Sequence, residues 1–249
     1  MNFGLVITTC KHYYANIPEL IKQLDACHFP KQNILIVSGQ EDEESIIDEN
    51  DIKCVKVTYS GLHLTGLIHI YENSNLYSDV KYWIVLPDTI NIGASFYNIM
   101  LDFFQNYIKN DTIYSIPFIN PEFKQTMDMG ILHIKQIQSM GNYLLKLKLN
   151  YPYNKNDILK LKTQLVFDEN IILGCSIGKN VAREHMTRFK YQGLRVKKPS
   201  MFLCRKNQII EKEIIINGRI VNEVTFTNLD LIKYQRNYKG FRVPLITEL

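Results

Sequence analysis

Short, uninterrupted apolar runs near the N-terminus constrain the fold of this chain more than any other feature. Phe3–Thr9 and Ile34–Val37 consist mainly of apolar and β-branched residues, with no alternation of polar ones. Such runs are typical of strands buried on both faces of a parallel sheet. Between them, apolar residues from Ile17 to Leu24 recur at helical spacing behind Asn16, a predicted helix cap. The chain therefore opens as β-α-β, a unit that places both strands in one parallel sheet.

The same alternation continues to about residue 120. Further strands are predicted at Ile52–Tyr59, Tyr82–Leu86 and Thr112–Phe118, and helices at Leu62–Tyr71 and Ala94–Ile108. The run from Glu41 to Asp51 holds seven acidic residues and no basic one, which predicts a solvated helix or loop.

Beyond residue 120 the alternation weakens. The predicted helices are Ile134–Lys146, Asn156–Gln164, Val181–Phe189 and Leu229–Tyr238. The predicted strands are Met129–Ile134, Phe202–Cys204 and Glu213–Ile216, the last turning through Asn217-Gly218 into Ile220–Val221. We predict one α/β domain over residues 1–249, with a regular half up to residue 120 and an irregular half from 121.

Composition agrees with a globular domain, and the charge pattern bears on the kind of ligand it binds. Hydrophobic residues make up 46% of the 249 residues, enough for a sizeable core. A net charge of +4 is too small to predict a nucleic-acid partner. The segment Lys179–Arg219, with eleven Lys or Arg against three Glu, suits phosphate-bearing ligands, a membrane surface or nucleic acid.

The cysteines and the apolar runs bear on the compartment. Five scattered cysteines without a CxxC pair argue against structural zinc and favour a reducing compartment, which we take to be the cytoplasm. The apolar pattern at the start of the chain, over Phe3–Thr9, predicts a buried strand, so we expect no signal peptide. No apolar stretch reaches the roughly 18 residues that a transmembrane helix needs.

Ligands of open α/β sheets bind beyond the carboxyl ends of the strands. This rule selects Thr8-Thr9-Cys10-Lys11, Ser38-Gly39-Gln40, the loop after Tyr59, and Pro87-Asp88-Thr89. Asp88 follows an apolar strand, and an unpaired carboxylate is costly to bury there. It is therefore expected to meet a metal, a hydrogen-bond donor or water, or to cap the turn that follows.

The succession LVITTC, a helix, ILIVSG and YWIVLPDT resembles the N-terminal half of GT-A glycosyltransferases of the family 2 type, over about residues 3–135. The resemblance implies a mixed, mainly parallel sheet flanked by helices. It also implies a nucleoside-binding edge and a short acidic motif that holds Mn²⁺ or Mg²⁺ and the diphosphate. The residues that it assigns to the nucleotide are Thr8, Thr9, Cys10, Ser38, Gly39 and Asp88.

The acidic motif departs from the family pattern. Residues 86–90 read Leu-Pro-Asp-Thr-Ile, so that Asp88 is its one carboxylate. The resemblance suggests His185 as a second metal ligand, since some members use a late histidine. Alternatively, basic side chains offset the charge of the diphosphate without a metal. The candidates for that role are Arg183, Arg188, Lys190 and Arg195.

Three acidic residues are candidates for contact with the reacting groups. The resemblance suggests that Asp128, in Gln-Thr-Met-Asp-Met-Gly, contacts the donor sugar, although a turn residue has the same pattern. It also suggests a late carboxylate that deprotonates the acceptor hydroxyl, for which Asp168 and Glu169 are candidates. Acidic residues at a helix N-terminus are the competing interpretation of that pair.

The predicted function is transfer of a sugar from a nucleotide-sugar donor to a glycan or another hydroxyl acceptor. A catalytically silent relative that binds a nucleotide or glycan, or that acts in assembly, is the main alternative. A nucleotidyltransferase ranks last, since Thr8–Lys11 lacks the glycines of its first loop. The sugar, the base, the stereochemistry and the oligomeric state are left open.

Overall fold

The computed structural model describes residues 2–108, 115–119, 128–162, 202–216 and 219–236. A further helix covers residues 155–162, and a 3-10 turn, Leu62–Leu64, precedes the helix that begins at Thr65. The helices are α1 (Ile17–Ala26), α2 (Thr65–Glu72), α3 (Phe96–Tyr107), α4 (Ile134–Ser139) and α5 (Gly141–Lys146). The strands are β1 (Phe3–Cys10), β2 (Ile34–Gly39), β3 (Ser45–Glu49), β4 (Ile52–Lys56), β5 (Tyr82–Pro87), β6 (Ile90–Ile92), β7 (Ser115–Pro117), β8 (Gly130–His133), β9 (Ile209–Ile216), β10 (Arg219–Phe226) and β11 (Leu231–Arg236).

The main sheet has the order β3-β4-β2-β1-β5-β8-β7. Its four central strands, β4, β2, β1 and β5, are parallel. β3 is antiparallel at one edge, and β8 is antiparallel to both β5 and β7 at the other. The predicted α/β class with a mixed, mainly parallel sheet is therefore confirmed.

The uninterrupted apolar character of β1 reflects burial on both faces. Leu5 and Ile7 pack into a core with α1 and α3, whereas Val6 packs into a second core with α2 and α5. All three side chains are fully buried. A strand covered by helices on both sides requires this composition. In the part of the chain that the structure describes, no helix is both long and apolar enough to cross a membrane.

A second, antiparallel sheet has the order β6-β11-β10-β9. β6 begins two residues after Asp88 and pairs with β11, whose Lys233 lies opposite Ile90. Because β6 follows β5 so closely, this pairing brings a segment from near the C-terminus to the end of a central strand.

The predicted helix Leu229–Tyr238 is wrong, because β11 occupies Leu231–Arg236. Its apolar spacing fits a helix locally, but hydrogen bonding to β10 on one side and β6 on the other decides the conformation. Pairing between distant segments commonly overrides local preference.

The acidic run is also partly mispredicted, since β3 covers Ser45–Glu49 within it. The partner strand explains the result: Asp48 lies opposite Lys53, and Ser45 opposite Lys56. Opposite charges across an antiparallel pair stabilise it.

The predicted helix Ile134–Lys146 divides into α4 and α5 at Met140. A Cβ at Gly141 would lie 1.8 Å from the Tyr71 ring, so this close approach to α2 requires glycine.

The predicted strand Phe202–Cys204 forms only an isolated bridge between Cys204 and Ile119. The hairpin predicted around Asn217-Gly218 is confirmed and extends over β9 and β10, whereas the predicted helix Val181–Phe189 lies outside the described residues.

Candidate functional site

Three central strands end together where the sequence predicts a ligand site. β1 is parallel to β2 and β5, and the register pairs Thr9 with Ser38 and Thr8 with Pro87. Parallel neighbours end at the same edge of a sheet, so the residues that follow them lie side by side. We call the six predicted nucleotide-binding residues at this edge the carboxyl-end site: Thr8, Thr9, Cys10, Ser38, Gly39 and Asp88.

Asp88 is the buried carboxylate of the carboxyl-end site. It is 8% exposed, and the Thr9 hydroxyl donates a hydrogen bond of 2.6 Å to its Oδ2. Burial raises the pKa of Asp88 to about 6, although the Thr9 hydrogen bond and the Lys233 charge act to lower it. The carboxylate is therefore mostly ionised at neutral pH. A buried titratable group with a shifted pKa is typical of a functional site.

Lys233 is a second buried charge at this edge, and the sequence analysis missed it. The residue is 6% exposed, and its Nζ donates a hydrogen bond to Thr89 Oγ1. The backbone fixes its position, because the Tyr234 amide donates to the Thr89 carbonyl oxygen. Read as a strand, the segment places Lys233 on the same face as Leu231. A lysine on the same face as the buried Leu231 was the signal, and the helix prediction concealed it.

A contact between a histidine and an aspartate lies beside these charges. His63 Nε2 is 3.4 Å from Asp128 Oδ1. Burial lowers the pKa of His63; the Asp128 charge opposes this shift, and the Lys233 charge adds to it. The ring is therefore neutral at pH 7. Because Lys233 acts on both His63 and Asp88, the two groups share one electrostatic environment.

His63 was not singled out from the sequence, although its loop was. The loop after Tyr59 follows the third parallel strand, and it was predicted to border the site. Nothing in a single sequence distinguishes this histidine from a packing residue; its partner Asp128 is far along the chain.

Left-handed backbone conformations border the same edge. Gln40, Leu62 and Asp128 have φ angles of 63°, 52° and 62°. A non-glycine residue in this region costs on the order of 1–3 kcal/mol. Gln40 directly follows Gly39, and Leu62 directly precedes His63, so the unfavourable conformations flank the polar groups described above.

Two predicted nucleotide ligands have their hydroxyls directed elsewhere. Thr8 Oγ1 accepts a hydrogen bond of 3.3 Å from the Gly66 amide of α2. The Ser38 hydroxyl donates a hydrogen bond to the Glu41 carboxylate. Of the hydroxyls predicted from the sequence, Thr9 is thus the one bonded to Asp88.

Cys10 and Gly39 complete the carboxyl-end site. Burial raises the pKa of the Cys10 thiol, and the nearby Asp88 charge raises it further. A Cβ at Gly39 would lie 3.1 Å from the Tyr59 carbonyl oxygen and 3.2 Å from the Thr65 side chain. The chain at Gly39 therefore packs closely against the loop that leads to His63.

Replacing Gly66 with alanine is expected to destabilise the protein by about 1–3 kcal/mol, through overpacking. Its Cβ would lie 2.6 Å from Thr8 Oγ1 and 2.7 Å from Val6 Cγ2. Helix propensity favours alanine by at most about 1 kcal/mol, so the clash prevails. Urea unfolding of G66A measures the difference. The double variant T8A/G66A lacks one of the two clashing atoms. Its loss of stability should therefore be smaller than the sum of the losses of T8A and G66A alone. A loss equal to that sum would contradict this account.

The described residues around Asp88 do not fit Mn²⁺ or Mg²⁺ well. These hard cations prefer several oxygen ligands, but the position two residues before Asp88 is the buried Leu86, and a lysine ammonium lies nearby. Across the described ranges, no group of three or more His, Cys, Asp or Glu side chains is arranged to hold a metal ion. The metal site nevertheless stays a prediction, because its other suggested ligand, His185, lies outside the described residues.

Seven predicted site residues lie outside the described residues, and their roles also stay predictions. They are the suggested base residues Asp168 and Glu169, the suggested metal ligand His185, and the suggested diphosphate ligands Arg183, Arg188, Lys190 and Arg195. Asp128 is described, and it contacts His63 as stated above.

No known protein-family model matches the chain, and a comparison with curated protein sequences finds no significant match. Functional inference therefore depends on the geometry of the site and on the chemistry of its residues.

Proposed function

We propose that this protein transfers a sugar from a nucleotide-sugar donor to a hydroxyl acceptor, in the manner of GT-A glycosyltransferases. The observation that carries the proposal is the 2.6 Å hydrogen bond from Thr9 to Asp88. It joins the carboxyl end of β1, where the resemblance puts the nucleoside, to the carboxylate where it puts the diphosphate. One bound ligand is then able to contact both.

The chemistry requires three tasks. The bond between the anomeric carbon and the β-phosphate oxygen breaks, and its electron pair remains on the diphosphate. The acceptor oxygen forms the new bond to the anomeric carbon, and its proton passes to a base. The protein therefore has to position the donor, offset the charge of the departing diphosphate and supply the base. Asp168 and Glu169 are the proposed bases, and Asp128 is the proposed contact to the sugar.

Two features of the site support this assignment. The Asp88 carboxylate and the Thr9 hydroxyl at the strand ends suit the hydroxyl-rich ribose and sugar of a donor. Asp128 contacts His63, and the Lys233 charge acts on both His63 and Asp88, which links the two carboxylates electrostatically. A reducing compartment such as the cytoplasm is part of the proposal, and the four cysteines among the described residues are all free thiols.

Ligand-dependent thermal unfolding tests the proposal. A nucleoside diphosphate at about 100 times its Kd stabilises a protein by about 2.7 kcal/mol. For a domain of this size we expect UDP or GDP to raise the Tm by roughly 5–10 °C. Incubation with UDP- and GDP-sugars should then release free nucleotide, with release accelerated by the true acceptor. The proposal fails if neither nucleotide stabilises the protein.

A silent binding or assembly protein is the second candidate. The observation that favours it is the single carboxylate of the acidic motif, which is already hydrogen-bonded to Thr9. The same measurements separate the two functions. A silent relative is stabilised by the nucleotide or nucleotide-sugar but releases no free nucleotide from any donor, whatever hydroxyl acceptor is added.

A further inference from the structure

A buried cation, Lys233, lies next to the carboxyl-end site. Lys233 is almost completely buried, and its ammonium is hydrogen-bonded to the residue that follows Asp88. Lysine is seldom buried to this extent unless it is paired. For folding alone, an apolar residue of similar volume is often as good as a buried ion pair or better. A buried lysine that is hydrogen-bonded just beyond the end of β5, where a ligand is predicted to bind, therefore points to a function in binding.

We infer that the Lys233 ammonium binds the diphosphate of the donor in place of a divalent cation, so that nucleotide binding requires no metal. This inference depends on the proposed function, since it names the positive charge of that same site. In the chain, the lysine comes from β11, outside the segments that resemble GT-A enzymes and outside the basic segment predicted to contact phosphate.

Position is the first argument for Lys233. Its Nζ contacts Thr89 Oγ1, and its charge acts on both Asp88 and His63. The ammonium thus lies beside Thr89 at the end of β5, within electrostatic range of both Asp88 and His63. A diphosphate held between the nucleoside at β1 and a sugar near Asp128 would pass this point.

Charge is the second argument. An ammonium near Asp88 offsets the single negative charge of the carboxylate, and it would repel a divalent cation bound there. Leu86 supplies no second carboxylate. Phosphate, in contrast, is a ligand that lysine binds well as a point charge. The arrangement therefore suits an anionic ligand better than it suits Mn²⁺ or Mg²⁺.

Calorimetric titration with UDP and GDP, in EDTA and separately in Mn²⁺, tests the inference. The wild-type protein should bind the preferred nucleotide with Kd values that agree within about threefold in the two buffers. Lys233→Met should weaken that binding by about 10- to 100-fold, the usual effect of losing a charge-assisted hydrogen bond. Lys233→Arg keeps the charge and should restore most of the affinity. Lys81→Met is the matched control and should bind as wild type, since Lys81 is exposed and precedes β5, whereas Asp88 follows that strand.

Titration with the phosphate-free nucleosides separates a phosphate contact from a structural role. The affinity of K233M for uridine or guanosine should equal that of wild type. The inference is overturned if K233M loses affinity for nucleoside and nucleotide alike, if it binds the diphosphate as wild type does, or if wild type binds only with Mn²⁺. The Mn²⁺ comparison holds even if K233M does not fold, because it uses the wild-type protein. Absence of any nucleotide binding in either buffer overturns the proposed function itself, and the inference with it.

Discussion

Asp88→Asn is expected to make the protein more stable at pH 8 and at the same time to weaken nucleotide binding. Burial raises the pKa of Asp88 from its ordinary value of 3.8 to about 6. The folded state therefore binds this proton more tightly than the unfolded state does. The resulting stabilisation is complete below about pH 4 and is lost as the pH rises through 6. Each pKa unit corresponds to about 1.4 kcal/mol, so asparagine should add about 1–3 kcal/mol at pH 8.

The same substitution removes the charge that the proposed site requires. Asparagine still accepts the hydrogen bond from Thr9, but it loses the charge that acts on Lys233 and the charge-assisted bonds to ligand hydroxyls. Binding of the preferred nucleoside diphosphate should weaken by about tenfold or more. Increased stability combined with reduced affinity is the pattern of a residue kept for function.

Urea unfolding between pH 4.5 and 8, together with calorimetric titration, measures both effects. The advantage of D88N should shrink toward pH 4.5, because there the wild-type carboxyl is protonated. Asp79→Asn is the control, since Asp79 is exposed and lies ahead of β5, whereas Asp88 follows it. It should change stability by less than about 0.5 kcal/mol. If D88N is less stable than wild type at pH 8, or binds nucleotide equally well, the role assigned to this carboxylate is wrong.

Phe104→Ala should cost about 3–5 kcal/mol in the free energy of unfolding. Phe104 lies on α3 and is fully buried. Its ring stacks on Phe3 at a centroid distance of 4.2 Å, and it also contacts Tyr82 at 5.6 Å. Phe3 and Tyr82 begin β1 and β5, so the cavity would open beneath the two strands whose other ends form the carboxyl-end site.

Tyr107→Ala is the matched control on the same helix. Tyr107 is 58% exposed, although it stacks on Phe103 at 5.5 Å. We expect this variant to lose less than about 1 kcal/mol in the free energy of unfolding, as measured in urea. F104A should still bind nucleotide with wild-type affinity at low temperature, since its cavity lies at the opposite end of the strands. A loss similar to that of Y107A would mean that α3 does not pack as described.

The elements with the strongest local signal were predictable from the sequence. β1, β2 and β5 are uninterrupted apolar runs because helices cover both faces of the sheet. This burial is therefore visible in the residue types of each strand. α1 was predictable for a related reason, since its buried residues repeat at the spacing of one helical face. The position of Asp88 followed from the rule that ligands bind at the carboxyl ends of parallel strands.

Errors arose where a distant partner decides the conformation. β3 is a strand because it pairs with β4, with Asp48 opposite Lys53, and β11 is a strand because β6 and β10 bond to it on both sides. Local periodicity contains no information about such partners. α4 and α5 separate at Met140, and α5 begins with Gly141, where the Tyr71 ring on another helix leaves no room for a side chain.

By itself, the sequence determined the α/β class, the central parallel strands and the carboxylate at their end, because these depend on burial and periodicity within short segments. Only the tertiary structure decided what surrounds that carboxylate. Thr9 and Asp88 are 79 residues apart, and Thr89 and Lys233 are 144 apart. Contacts over such separations exist only once the sheets have formed, since the folded backbone and not the local sequence determines which side chains meet.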